Sequence, residues 1–220
     1  MNLHPIEIDT APSPRASIII LHGLGADAND FVPFCHELDL SDIGPVRYVL
    51  PNAPVMPVSI NGGYSMPAWY DILPATNERR EDEASLRRAH VALNALVDAE
   101  IARGIPASRI VVMGFSQGCA MALMVGLRYP QRLAGIIALS GYLPLLNTTQ
   151  AEAHASNHST PIFMAHGQSD DVVLMSRGEQ ARDHLQSSGY QVSWHTYPMA
   201  HSLCMDEVSD INDWLLQVLA

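Results

Sequence analysis

The chain has 220 residues, 48% of them hydrophobic and only 16% charged, a composition that excludes a disordered polymer. Its formal net charge is −11, from 12 basic and 23 acidic residues, and every fixed positive charge is an arginine because no lysine occurs. No basic run or basic helix face is present, so a nucleic-acid partner is not expected; the acidity reads first as a source of solubility, and secondarily as disfavouring anionic membrane surfaces. The length suits one α/β domain over residues 1–220, and no linker composition marks a second. Cys35, Cys119 and Cys204 are odd in number and widely spaced, giving neither a disulfide framework nor a zinc pattern. The N-terminal MNLHPIEIDTAP lacks a basic segment followed by an apolar core. No apolar run approaches the ~20 residues that span a bilayer. Stable membrane insertion is therefore not expected, and a cytoplasmic location is.

The order of elements alternates between strand and helix. ASIIILHG (16–23) reads as a strand buried on both faces, and VRYVLPNAP (46–54) as a second, stopped by Pro51 and Pro54. Residues 82–103 repeat apolar side chains at helical spacing and end at Gly104 and Pro106. RIVVMGFSQG (109–118) is a strand running into a turn, and CAMALMVGLRYP (119–130) is a helix. LAGIIALSG (133–141) and TPIFMAHGQSD (160–170) are further buried strands, separated by a polar stretch, TTQAEAHASNHST, that reads as a surface loop. A helix over 175–189, an alternating strand over 190–198 and an amphipathic helix over 206–219 complete the chain. This alternation predicts a mostly parallel sheet covered by helices on both faces, with chemistry at the carboxyl ends of its strands. Polar clusters at 22–30, 114–118, 167–171 and 199–202 fall at those ends.

Gly114-Phe115-Ser116-Gln117-Gly118 fits G-x-S-x-G between a strand and a helix, the setting that exposes a nucleophilic serine on a sharp turn. His22-Gly23-Leu24-Gly25 follows the first buried strand, where a loop can aim a backbone N–H at an oxyanion. By position the two oxyanion donors are the N–H groups of Leu24 and Gln117. His22 lies too early for the Ser, acid, His order and reads as a packed structural histidine. Among the later histidines, only His201 sits in a short loop between the last strand and the last helix, from which an imidazole reaches over the sheet edge. The acid is Asp170 or Asp171, one of which should accept from the His201 ring and select its tautomer.

LHGLGADANDF, PNAP, NGG…WYD, GFSQGCAMAL, LSGYLP, HGQSDDVV and MAHS, in this order, resemble the bacterial carboxylesterase and acyl-protein thioesterase family from about residue 17 to the C-terminus. The resemblance implies an α/β-hydrolase fold without a large cap domain and a triad of Ser116, Asp170 and His201. It chooses Asp170 because the family aspartate is followed by one residue and then a valine-like pair, here Asp171 and Val172-Val173. It also implies Leu24 and Gln117 as oxyanion donors, and an acyl pocket bordered by residues 61–73, including Met66, Trp69 and Leu73. Met66 and Trp69 can equally pack in the core. Where family members often carry proline after the aspartate, this chain has Asp171, a second carboxylate able to raise its neighbour's pKa.

The expected reaction is hydrolysis of small to medium, uncharged carboxylic esters through an acyl-enzyme, with no metal and no cofactor. The second expectation is a thioesterase or lysophospholipase acting on longer acyl chains, acyl-proteins included. A hydrolase-fold binding protein without catalysis would require a damaged triad or oxyanion loop, and every residue type needed is present. Surplus apolar surface near 61–73 would allow a homodimer.

Overall fold

The computed structural model describes residues 3–74 and 80–220. Seven strands form the central sheet: β1 (Ile6–Asp9), β2 (Ala16–Leu21), β3 (Val46–Leu50), β4 (Ile110–Phe115), β5 (Gly135–Leu139), β6 (Ile162–Gly167) and β7 (Val192–Tyr197), in the order β1-β3-β2-β4-β5-β6-β7. Only the β1–β3 pairing is antiparallel. The helices are α1 (Val32–Glu37), α2 (Glu83–Ala102), α3 (Gln117–Arg128), α4 (Leu146–Glu152), α5 (Met175–Ser187) and α6 (Met205–Val218). This is the α/β-hydrolase fold.

The continuous apolar runs have a direct cause. Side chains alternate across a strand, so a strand with helices on both faces must be apolar at every position. Ile19 and Leu21 of β2 and Val112 of β4 enter one core with Leu93 of α2 and Leu123 of α3. Ile18 and Ile20, with Val111 and Met113, enter the other, against Phe34 of α1 and Ile211 of α6. Each such buried aliphatic side chain contributes about 1.5–3 kcal/mol relative to exposure.

The parallel register brings the strand ends to one edge. Leu21 pairs with Gly114, Phe115 with Leu139, and Gly167 with Tyr197. The residues that follow, His22, Ser116, Ser140, Gln168 and the loop from Pro198, therefore emerge side by side.

The elements that sequence periodicity did not predict are short. β1 has four residues, α1 has six, and residues Val55–Val58 pair with Tyr64–Pro67 as a hairpin beside the sheet. The polar stretch expected as a loop is instead helical at its start. In α4 the hydroxyls of Thr148 and Thr149 bond the carbonyl of Leu145, and Glu152 takes ion pairs from Arg87 and Arg128. Nonlocal charge pairing supplies what the helical pattern lacks. Among the described residues no helix is long and apolar enough to cross a membrane.

Candidate active site

Ser116 stands between β4 and α3 with φ 56° and ψ −116°, a positive φ that non-glycine residues rarely adopt. The turn is held open by its glycines. A Cβ on Gly118 would collide with the carbonyl oxygen of Leu21, and one on Gly114 with that of Gly118, so β2, β4 and α3 approach at backbone distance. The Ser116 N–H is anchored by Leu139 O at 2.9 Å, and the residue stays 9% exposed in the lining of a cavity.

Asp170 follows β6 and is buried, whereas Asp171 beside it is exposed. Oδ1 of Asp170 accepts the N–H groups of Val172 (3.0 Å) and Val173 (2.8 Å), which orients the carboxylate. Its Oδ2 lies 2.7 Å from Nδ1 of His201. That contact places the ring proton on Nδ1 and leaves Nε2 unprotonated and able to act as a base. The Phe115 ring packs against the imidazole with centroids 4.7 Å apart. The structure thus brings Asp170 and His201 together, separates them from Asp171, and sets Ser116 and His201 in the wall of one cavity.

Leu24, the expected first oxyanion donor, lines the same cavity together with Gly23, where an added Cβ would touch the Ser116 side chain. Gly25, with φ 77°, donates its N–H to Pro67 O at 2.8 Å and ties this loop to the hairpin. Gln117 is the first residue of α3, where a helix leaves its N–H groups without internal partners. Its side chain has a role that the sequence did not signal: Oε1 accepts from Trp69 N (2.7 Å) and Nε2 donates to Tyr70 O (2.8 Å).

Met66, Trp69 and Leu73 lie outside the lining of this cavity. Trp69 is 0% exposed, with its indole N–H on His22 O at 2.8 Å, so it packs in the core, the other reading of that residue. Met66 is half-buried in the hairpin against Gly25, and Leu73 is half-buried in a two-residue strand pairing with Arg80. His22 is a structural residue as expected. Its Nε2 accepts from Ala53 N at 3.0 Å, so Nδ1–H donates to Gly23 O at 2.7 Å, and burial lowers its pKa.

The cavity of about 630 Å³ runs instead between α1 and the start of α6, walled by Phe31, Pro33, Phe34, Leu203, Met205 and Val208. Sequence reasoning missed it because its two sides are about 170 residues apart in the chain. It also missed His166, buried at the end of β6, whose Nε2 donates to Val173 O at 2.8 Å and lies 3.3 Å from Asp170 Oδ2. The HG pair in HGQSDD was the available signal, but a histidine preceding the acid fell outside the expected order. Among the described residues no group of three or more His, Cys, Asp or Glu side chains converges as a metal site.

The sequence profile described as Phospholipase/Carboxylesterase matches residues 6–219. The chain belongs to this family. Among the relatives of this phospholipase/carboxylesterase chain, acyl-protein thioesterase 1 of Neurospora crassa is 40% identical over 225 residues, 98% of this chain and 91% of its own. Of the solved structures, Arabidopsis thaliana SOBER1 superposes with a TM-score of 0.88 at 30% identity, over 94% of this chain and 100% of that one. Zea mays acyl-protein thioesterase 2 gives 0.85 at 27% identity, over 99% and 100%. As a family member with such relatives, the chain is a hydrolase of the esterase and thioesterase class.

Proposed function

We propose that the protein cleaves acyl thioesters and esters through Ser116, His201 and Asp170, favouring longer acyl chains over the short esters first expected. The observation that carries the chemistry is the 2.7 Å contact between His201 Nδ1 and the buried Asp170, with His201 and Ser116 lining one cavity. The preference for longer chains is supported by the relatives, which are named acyl-protein thioesterases.

In this reading His201 Nε2 takes the Ser116 hydroxyl proton as Oγ attacks the carbonyl carbon. The oxyanion accepts the N–H groups of Leu24 and Gln117, with the α3 dipole acting in the same direction. His201 then protonates the departing sulfur or oxygen, and water repeats the sequence on the acyl-Ser116 ester. No step calls for a metal or a cofactor.

Ser116→Ala is expected to abolish hydrolysis and labelling by a fluorophosphonate while leaving the unfolding curve of the protein in place. Full activity in the folded variant would refute the assignment. An acyl-length series of thioesters and esters then tests the preference. A rate maximum beyond about twelve carbons supports the proposal, and one at about four to six carbons returns the protein to short esters.

A further inference from the structure

The walls of the cavity beside Ser116 are asymmetric with respect to the chemistry. On one side they are the histidine and the residues immediately after it, His201 to Met205, with Val208 one turn on in α6. On the other side they are Phe31, Pro33 and Phe34, from the segment that leads into and opens α1. In an acyl transfer driven by a histidine, the group departing from the tetrahedral intermediate is the one that the imidazole protonates, so it leaves on the histidine's side. The hairpin that carries Met66, and Trp69 beyond it, contribute nothing to this lining.

We infer that this cavity holds the leaving half of the substrate, and that the leaving half carries an uncharged apolar group within a few bonds of its oxygen or sulfur. The inference rests on the function proposed above and deepens it by naming the side of the scissile bond that the cavity reads. A space of about 630 Å³ is within the range of small-molecule sites and exceeds what a methyl or ethyl group fills. Its walls are aromatic and aliphatic. Among the described residues, the fixed charges in its lining are the exposed carboxylates Asp30 and Glu37, and no described arginine joins them. An anionic leaving group, a phosphate for instance, meets like charge there and finds no arginine among the described lining residues. A neutral aryl or alkyl group instead displaces water from Phe31, Phe34 and Val208.

The test holds the acyl chain constant and varies the alcohol. Octanoyl esters of ethanol, 2-phenylethanol and 2-hydroxyethanesulfonate are compared by kcat/KM. The first two alcohols have leaving oxygens of similar basicity, so a difference between them reports binding. The phenylethyl ester is expected to exceed the ethyl ester by about tenfold or more, and the sulfonate to fall below both. Val208→Trp, and Leu203→Trp at the half-buried rim should the first fail to fold, are expected to bring the phenylethyl-to-ethyl ratio towards one. Equilibrium binding of 2-phenylethanol to the wild type, followed by NMR, is expected to be weakened by the same variants. Ser116-dependent hydrolysis with a ratio already near one would overturn the inference and leave the proposed function standing. So would tryptophan variants that shift the acyl-length optimum and leave the alcohol ratio alone. The reverse result, 2-phenylethanol binding that depends on Val208 without Ser116-dependent hydrolysis, would sustain the cavity's ligand class and refute the function.

Discussion

From Gln117 to Leu127 every residue of α3 is buried, and β2, β4 and α3 meet at glycines that admit no side chain. From Pro198 to Cys204, the loop carrying His201, every residue is exposed or half-buried. Ser116, just before the first region, and His201, in the second, line one cavity, yet their positions have different origins. Close packing holds the nucleophile, so its geometry is inseparable from the stability of the fold. The histidine is held by one hydrogen bond to Asp170, one aromatic contact with Phe115 and the passage of its loop backbone over Gly167. Substitutions of the elbow's glycines should therefore appear as lost protein, and substitutions around the histidine as lost turnover.

The sharpest break of that contrast is Asp170→Asn. It keeps the Oδ1 acceptor for Val172 and Val173 but no longer dictates the histidine tautomer. A fall in kcat on the order of 10⁴-fold is expected, with unfolding free energy moving by less than about 1 kcal/mol in urea. Gly118→Ala tests the other wall. Its methyl meets backbone that cannot yield, so a loss of about 3–5 kcal/mol, or no soluble protein, is expected from urea unfolding. A well-folded, stable Gly118→Ala would show that the elbow is looser than its packing indicates.

Glu207 complicates the histidine side and gives it a pH signature. It lies in the first turn of α6, fully buried, and no side chain among the described residues bonds its carboxyl oxygens; the Cys204 backbone only partly offsets that burial. Burial, with Asp210 acting in the same direction, raises its pKa from 4.5 to about 8. The folded state thus favours the protonated form, and stability falls as pH rises from about 4.5 towards about 8. Glu207→Gln removes that penalty. It is expected to be more stable than the wild type by roughly 2–4 kcal/mol at pH 8, with a much smaller gap at pH 5, measured by urea midpoints. His166→Leu is expected to be milder in turnover than Asp170→Asn. It frees the buried carbonyl of Val173 and loosens the turn that orients Asp170. A loss of about tenfold in kcat with little change in KM is expected, and Gln at 166 should restore part of it by again donating to that carbonyl.

Long strands and helices were legible because their signals are local. The unbroken apolar runs of β2 and β4 and the helical spacing of α2 follow from burial on two faces and on one. Asp82, one residue before α2, caps it through the Ser85 N–H at 2.9 Å. β1, the hairpin, α1 and α4 were not, because their four to seven residues mix polar, proline and apolar side chains with no sustained apolar run or helical period, and α4 owes its helix partly to Arg87 and Arg128, far away in sequence. Trp69 illustrates a different limit. Composition cannot separate a pocket tryptophan from a core one, and the partner that decides, the carbonyl of His22, is 47 residues distant.

The sequence by itself determined the alternating α/β order, the strand-to-helix turn at Ser116 and the loops bearing Leu24, Asp170 and His201, because each depends on neighbours within a few residues. The family pattern had already chosen Asp170 over Asp171; tertiary structure alone decided which histidine steadies that aspartate's turn, whether Trp69 packs in the core, and where a cavity opens beside Ser116. Those outcomes depend on surfaces meeting from distant parts of the chain, and such meetings leave no periodic trace in the sequence that encodes them.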